Sequence, residues 1–170
     1  MAHPLVGIVM GSDSDLLKMQ ECAAVLTEFG VPSEMRILSA HRVPDDLAEY
    51  ARTARQRGLK VIVAGAGLAA HLPGVLAAYA TLPVIGVPLA VGALNGLDAL
   101  YAMVQMPPGV PVATVAIGGS RNAGLLAVQI LATADPDLAA RLENHKGEMA
   151  EAVRCKDRAL AARSEEDKQS

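Results

Sequence analysis

Charge is almost missing from the middle of this chain. Residues 61–134 hold only two formally charged side chains, Asp98 and Arg121, in 74 positions. A compact monomer of 17.6 kDa exposes about 7,900 Å² of surface, and nearly half of a chain cannot be this poor in charge and still own a proportionate share of it. Either the segment spans a membrane or other subunits cover it. Pro73, Pro83, Pro88, Pro107, Pro108 and Pro111 interrupt every apolar run before the roughly 20 residues that a bilayer requires. Burial against copies of the same chain is the better reading, so a homo-oligomer and no membrane partner are expected.

Aromatic residues are equally scarce, at 2%, with no tryptophan. The core must therefore be built from Ala, Val, Leu and Ile, which favours close helix-on-sheet packing over an aromatic-lined cavity. The two cysteines, Cys22 and Cys155, lie far apart without metal-ligand spacing. With no secretory signal at the start of the chain, they read as reduced thiols in a cytoplasmic protein. No His, Cys or acid cluster has metal-site spacing, so no metal is expected. A net charge of −3 excludes an electrostatic grip on nucleic acid.

What is present is a repeating alternation of short apolar runs and amphipathic stretches. Apolar runs at 5–10, 34–38, 61–64, 83–87 and 112–117 read as strands. The intervening stretches, reaching to about 29, over 44–57, to about 80, over 94–105 and over 122–133, read as helices. Five strands alternating with helices predict an α/β fold with a parallel, doubly wound five-stranded sheet. Residues 141–170 differ sharply: they carry 14 charges, seven of each sign. Everything after residue 135 reads as a charged helical tail, fraying into polar disorder after about 162. The expected division is a domain over 1–135 and a tail over 136–170.

Open α/β sheets bind ligands at the carboxyl ends of their strands, so those ends hold the candidates. Gly11-Ser12-Asp13-Ser14-Asp15 follows the first strand. Its glycine and helix-starting amides suit an anion such as phosphate, and Asp15 suits a ribose hydroxyl; ordinary capping explains the same residues. Ser39-Ala40-His41-Arg42 follows the second strand, where His41 offers a titratable imidazole and Arg42 planar donors for an anion. Gly65-Ala-Gly-Leu-Ala-Ala-His71-Leu-Pro-Gly74 follows the third, with no charge and little bulk, as a flat ligand would need. For His71 alone, a buried imidazole hydrogen-bonded to backbone or across an interface is the stronger expectation. Ala93-Leu-Asn-Gly-Leu-Asp98 and Gly118-Gly-Ser-Arg-Asn122 offer less specific donors.

Taken in order, Gly11–Asp15, Ser39-Ala-His-Arg-Val-Pro-Asp45, Ala64–Gly74, Ala93–Asp98 and Gln105-Met-Pro-Pro-Gly-Val-Pro111 resemble the motifs of the N5-carboxyaminoimidazole ribonucleotide mutase family. This is class I of the phosphoribosylaminoimidazole carboxylase catalytic subunits, and the likeness covers about residues 5–135. The resemblance implies a flavodoxin-like fold assembled as an octamer. It implies interconversion of N5-carboxyaminoimidazole ribonucleotide and 4-carboxy-5-aminoimidazole ribonucleotide in purine biosynthesis, without cofactor. It further implies that His41 is the general acid-base and that Ser12, Asp15 and Arg42, with Ser39 in the same turn, bind the ribose phosphate. Gly65, Ala66, Gly67 and Leu68 correspond to the stretch along the aminoimidazole and its carboxylate, and His71 to a histidine lining the same pocket. Two departures are visible. Leu68 stands where the family often has glycine, which narrows the pocket, and the turn Gly119-Ser-Arg-Asn122 is shorter than in many members. Two rivals are direct carboxylation of aminoimidazole ribonucleotide by CO2 (the class II activity) and a flavodoxin-like binding module without catalysis.

Overall fold

The structure, a computed structural model, describes residues 3–166, and side chains as far as residue 163. Five parallel strands form one sheet in the order β2-β1-β3-β4-β5. Strands β1 (Val6–Met10), β3 (Val61–Ala66) and β4 (Val84–Pro88) are buried at every position, as continuous apolar runs inside a parallel sheet must be. Strand β2 (Ser33–Ile37) is an edge, half-buried to exposed, and it places Glu34 and Arg36 among its apolar residues. The register pairs Met10 with both Ile37 and Gly65, so the first three strands end level with one another. That level rim is the floor of the site described below.

Strand β5 (Ala113–Thr114) is much shorter than the expected 112–117. The Val115 amide still donates to the Gly86 carbonyl, but the next bond to β4, at the Pro88 carbonyl, comes from Gly118. One residue more than a regular ladder admits lies between them, and this bulge ends the strand. Helix α4 (Leu97–Val104) starts three residues later than expected. Asn95 and Gly96 are both left-handed, with φ of 48° and 90°, which a right-handed helix cannot include.

Helix α1 (Leu16–Glu28) is entered through a 3-10 turn over Asp13–Asp15. Helices α2 (Pro44–Ala54), α3 (Leu72–Tyr79) and α5 (Ser120–Ala132) follow their strands. One face of the sheet packs Val9, Ile62, Ala64 and Val84 against Leu47 and Tyr50 of α2, Leu72 and Leu76 of α3, and Ala99 and Met103 of α4. Each fully buried aliphatic side chain of this kind stabilises the fold by about 1.5–3 kcal/mol. Across the sheet, α5 meets α1: the Ser120 hydroxyl lies 3.7 Å from the Met19 sulfur, and Arg121 reaches Glu28 at 3.3 Å. Cys22 of α1 is buried there, which pushes its thiol up to about 12. The fold is flavodoxin-like and doubly wound.

Strand β2 is fastened by a half-buried polar cluster. Glu34 accepts from the Tyr50 hydroxyl at 2.9 Å and from Arg57 Nη1 at 2.7 Å, and the Arg57 guanidinium lies 4.5 Å from the Tyr50 ring centroid. Burial and the Glu34 carboxylate both raise the Tyr50 phenol above its ordinary range.

The chain divides into two compact units, residues 1–131 and 132–170. In the second, helix α6 (Pro136–Glu166) is capped by Asp135, whose Oδ1 accepts from the amides of Asp137 and Leu138 at 3.0 and 3.1 Å. Glu151 pairs with Arg154 and Arg158 at 3.5 and 2.6 Å. The tail is helical beyond residue 162, to Glu166. The expected disorder from 167 onward lies outside the described residues.

Candidate active site

The strand order reverses between β1 and β3, and a cleft of about 210 Å³ opens above the ends of β1, β2 and β3. It is where doubly wound sheets place their ligands. Each wall comes from a different strand end.

The first wall is the turn after β1. Ser12 is the helix cap: its Oγ accepts from the Ser14 amide at 3.3 Å, and Asp15 Oδ2 accepts from the Ser12 amide at 3.2 Å. This reciprocal capping box satisfies amides that would otherwise be orphaned. The capping reading is therefore correct in geometry, and Gly11, Ser12, Ser14 and Asp15 also line the cleft. Partial burial raises the Asp15 carboxyl above its ordinary value, against the lowering effect of its bonds to Ser12, Ser14 and Gly11.

The second wall is the turn after β2. Ser39 shapes it from both ends of the residue: its Oγ accepts from the Arg42 amide at 3.3 Å and its carbonyl from the Val43 amide at 3.0 Å. The turn then leads into α2, which begins at Pro44 with Asp45 and Asp46 in its first turn, as proline geometry and the helix dipole favour. Arg42 reaches across to the first wall, where Nη2 donates to the Gly11 carbonyl at 2.6 Å. One guanidinium therefore joins the ends of β1 and β2 and keeps its remaining N–H groups for other acceptors.

The third wall is the segment after β3. Ala66, Gly67, Leu68, Ala69 and Leu72 face the cleft, and Val91 closes it from the loop after β4. A Cβ on Gly67 would run into Val91, so only glycine lets these two segments approach. Gly65 does not line the cleft. It is buried within β3, where a Cβ would collide with the Met19 thioether of α1; its part is to set how close α1 lies to the sheet. Leu68 takes a left-handed backbone, φ 55°, the conformation that glycine adopts freely. Its side chain is 53% exposed at the cleft mouth, consistent with a narrower entrance.

Within a single chain His71 is not the buried imidazole that its charge-poor surroundings suggested. It sits exposed at the start of α3, and its Nδ1 lies 2.9 Å from His41 Nε2. The rings meet edge to face, 5.1 Å apart at 89°. The two histidines come from turns 30 positions apart and share one hydrogen bond beside the cleft. His41 lines the cleft and His71 does not; among the described residues, Asp15 and Arg42 are the other ionisable side chains of the lining. The arrangement offers a proton carrier, a cation, a hydroxyl-bearing turn and a flat apolar wall.

With that geometry in view, the likeness to known proteins is informative. Residues 5–152 match the AIR carboxylase family. The chain belongs to that family. It is 57% identical over 158 residues to the N5-carboxyaminoimidazole ribonucleotide mutase of Mycobacterium tuberculosis, covering 93% of this chain and 91% of the relative. It is 60% identical over 150 residues to the phosphoribosylaminoimidazole carboxylase of Schizosaccharomyces pombe, covering 88% of this chain and 27% of that longer protein. Among solved structures it resembles a variant of Treponema denticola PurE2, with a TM-score of 0.86 at 27% identity, over 94% of this chain and 99% of that one. It also resembles Treponema denticola PurE, at TM-score 0.80 and 28% identity, over 88% and 94% of the two chains.

The later strand ends contribute less to this cleft than their donors suggested. Asp98 accepts from the Ala99 amide at 2.9 Å as a local cap, and Arg121 is engaged with Glu28. Lining residues that sequence reasoning passed over are Ala40, Ala69, Leu72 and Val91. Ala40, Ala69 and Leu72 lie inside motifs already singled out. Val91 carries no signal of its own, since an exposed valine in a loop announces nothing until β4 is placed beside β3.

Proposed function

We propose that this chain is an isomerase that interconverts N5-carboxyaminoimidazole ribonucleotide and 4-carboxy-5-aminoimidazole ribonucleotide in purine biosynthesis. The observation that carries the reading is the convergence of three motifs on one cleft, in a chain 57% identical along 93% of its length to a mutase. In this reading Ser12, Ser39 and Arg42 hold the ribose phosphate and Asp15 accepts from the ribose hydroxyls. Ala66, Gly67 and Leu68 lie along the aminoimidazole and its carboxylate, and Gly65 sets their position from within β3. His71 borders the same pocket.

The chemistry needs one proton moved twice. Releasing CO2 from the exocyclic nitrogen requires a proton at that nitrogen, given by His41. Attack of the enamine-like C4 on the same CO2 leaves a tetrahedral carbon, whose proton returns to His41 as aromaticity is restored. The imidazole is thereby reset and the net change is an isomerisation. A positioned acid-base supplies typically 10²–10⁴-fold. Holding CO2 beside C4 against an uncharged wall supplies an effective-molarity gain. The reaction written this way consumes no cofactor.

Val91, Leu94, Leu97, Tyr101, Val104 and Ile117 are each 38–60% exposed, all within the charge-poor segment, and exposed apolar side chains in that number favour cover by other subunits. We infer a homo-oligomer, in the family an octamer, working in the cytoplasm; among the described residues no helix is long and apolar enough to cross a membrane. Residues 1–135 are proposed as the catalytic domain and 136–170 as its appended tail.

The likeness to the Schizosaccharomyces pombe carboxylase favours a second reading, direct carboxylation of aminoimidazole ribonucleotide. One assay separates them. Purified protein is given either the N5-carboxy substrate or aminoimidazole ribonucleotide with bicarbonate. Turnover of the first well above the second supports the mutase, and the reverse order overturns it.

A further inference from the structure

Two loops interlock at the apolar lip of the cleft. Past β4, the Leu89 amide still donates to the Ala66 carbonyl at 2.9 Å, and the chain then turns sharply, with the Val91 amide on the Leu89 carbonyl at 3.0 Å. That turn lays Val91 over Gly67, where a Cβ would strike its side chain. Leu68 in return lies over Gly92, where a Cβ would stand 2.5 Å from Leu68 Cδ2. Each loop thus supplies one aliphatic knob and the glycine that seats the other's. Residues 66–70 and 89–94 are all Ala, Gly, Leu or Val, so no side chain here can hydrogen-bond a substrate.

Leu68 keeps its seat against its own preference. Its φ of 55° crowds Cβ against the next carbonyl oxygen. More than half of the residue is exposed, so burial explains little of why a leucine stands here. Its partner Gly92 has a φ of 72°, which glycine takes freely. Strained backbone of this kind gathers at ligand clamps and active sites, and Leu68 lines the cleft together with Val91. Between Ala66 and Ala69 it is the one side chain larger than a methyl group.

Resting on the mutase reading, we propose that Leu68, seated on Gly92, determines whether freed CO2 is recaptured or lost. When the N–C bond of the N5-carboxy group breaks, its electron pair stays on the exocyclic nitrogen, which takes the proton from His41. The CO2 that leaves is uncharged, so Arg42 and the imidazoles cannot hold it as an ion pair. It either accepts the electron pair of C4, forming the new C–C bond as C4 gives its proton to His41, or it escapes past the lip. Escape ends the turnover as aminoimidazole ribonucleotide and CO2. An apolar lip closes that exit and keeps out the water that would hydrate CO2 to bicarbonate. Recapture then outruns escape, because CO2 stays at high effective concentration beside C4.

The test follows the carbon. N5-carboxy substrate labelled with ¹³C in its carboxylate is turned over in unlabelled bicarbonate by wild type, Leu68→Ala and Leu68→Met, beside an enzyme-free control for spontaneous loss. Alanine and methionine make the same left-handed demand on the backbone as leucine, so the three proteins differ in apolar cover alone; circular dichroism checks the fold. Wild type should carry nearly all the label into the 4-carboxy product. In Leu68→Ala the ratio of lost to transferred label should rise about 10-fold or more, the scale on which apolar groups in a pocket discriminate. Aminoimidazole ribonucleotide should appear in step. Leu68→Met, of similar volume, should stay within about twofold of wild type. Looser packing alone would lower stability or kcat and leave that ratio unchanged. Equal label transfer in wild type and Leu68→Ala overturns the proposal, as does a Leu68→Met that leaks as freely as Leu68→Ala. A wild type that makes no 4-carboxy product from the N5-carboxy substrate defeats the mutase reading, and the proposal falls with it.

Discussion

The two halves of the sheet are built from similar strands and do different work. On the side of β1, β2 and β3, the strand ends carry serine, aspartate, histidine and arginine, and those groups bond to one another across turns: Arg42 to Gly11, His41 to His71, Asp15 to Ser12. On the side of β4 and β5, the corresponding ends carry Leu94, Leu97, Tyr101 and Ile117, which are exposed and apolar. Asp98 and Arg121, the only charges there, are turned to local tasks. Bonded polar turns and exposed apolar side chains are thus separated along one sheet. The reason is that a polar turn can be held open to a substrate only where its own hydrogen bonds are satisfied, whereas an apolar rim is stable only when covered.

That contrast is open to attack at several places. The largest effect is expected from His41→Asn, which keeps size and polarity but cannot shuttle a proton near neutrality. Turnover should fall by at least about 10²-fold in the N5-carboxy substrate assay, with circular dichroism and subunit count unchanged. Near wild-type turnover would remove His41 from the mechanism. Arg42→Ala should raise KM roughly 10- to 100-fold, as loss of a hydrogen bond to a charged group implies, with a smaller change in kcat. An equal loss of saturated turnover in both variants would contradict the division between proton carrier and binding group.

The other half is probed by the paired change Leu97→Asp and Tyr101→Asp. If this face is where copies of the chain meet, as proposed, two carboxylates on it should shift the species seen in sedimentation velocity toward smaller assemblies. An unaltered sedimentation coefficient would mean that this face is not an interface between copies of the chain. The smallest effect is expected at Leu68→Gly. Releasing a left-handed leucine gains about 1–2 kcal/mol and the added chain freedom of glycine costs about 0.5–1 kcal/mol, so urea unfolding should move by less than about 1 kcal/mol. If Leu68 narrows the entrance, KM should fall in the same variant.

Much of this was legible before any coordinates. Apolar runs in β1, β3 and β4 are short, continuous and punctuated by glycine or proline, so their type and order follow from residue pattern alone. The site turns also announce themselves, because Ser12, Asp15, His41 and Arg42 are polar where apolar strands stop. Other features were not legible. The left-handed Asn95 delays α4, and a single extra residue truncates β5; neither leaves a mark in hydrophobic periodicity. His71 looked buried because its neighbours in sequence are uncharged, yet exposure depends on where the turn lies relative to the sheet. Gly65 looked like part of a ligand-facing loop, but the β1–β3 register carries the strand two residues further and turns Gly65 toward Met19.

What the chain alone determined is the alternation of strands and helices, the absence of any membrane-length apolar run, and the residue types at each strand end, since all three are properties of local order along the polymer. Only the tertiary structure decided which strand ends meet. The strand order β2-β1-β3 brings together turns that are some 30 positions apart. Without that crossover, an arginine, two histidines and a capped serine turn would remain separate local features, because a hydrogen bond of 2.6 or 2.9 Å between distant residues exists only once the sheet has set their positions.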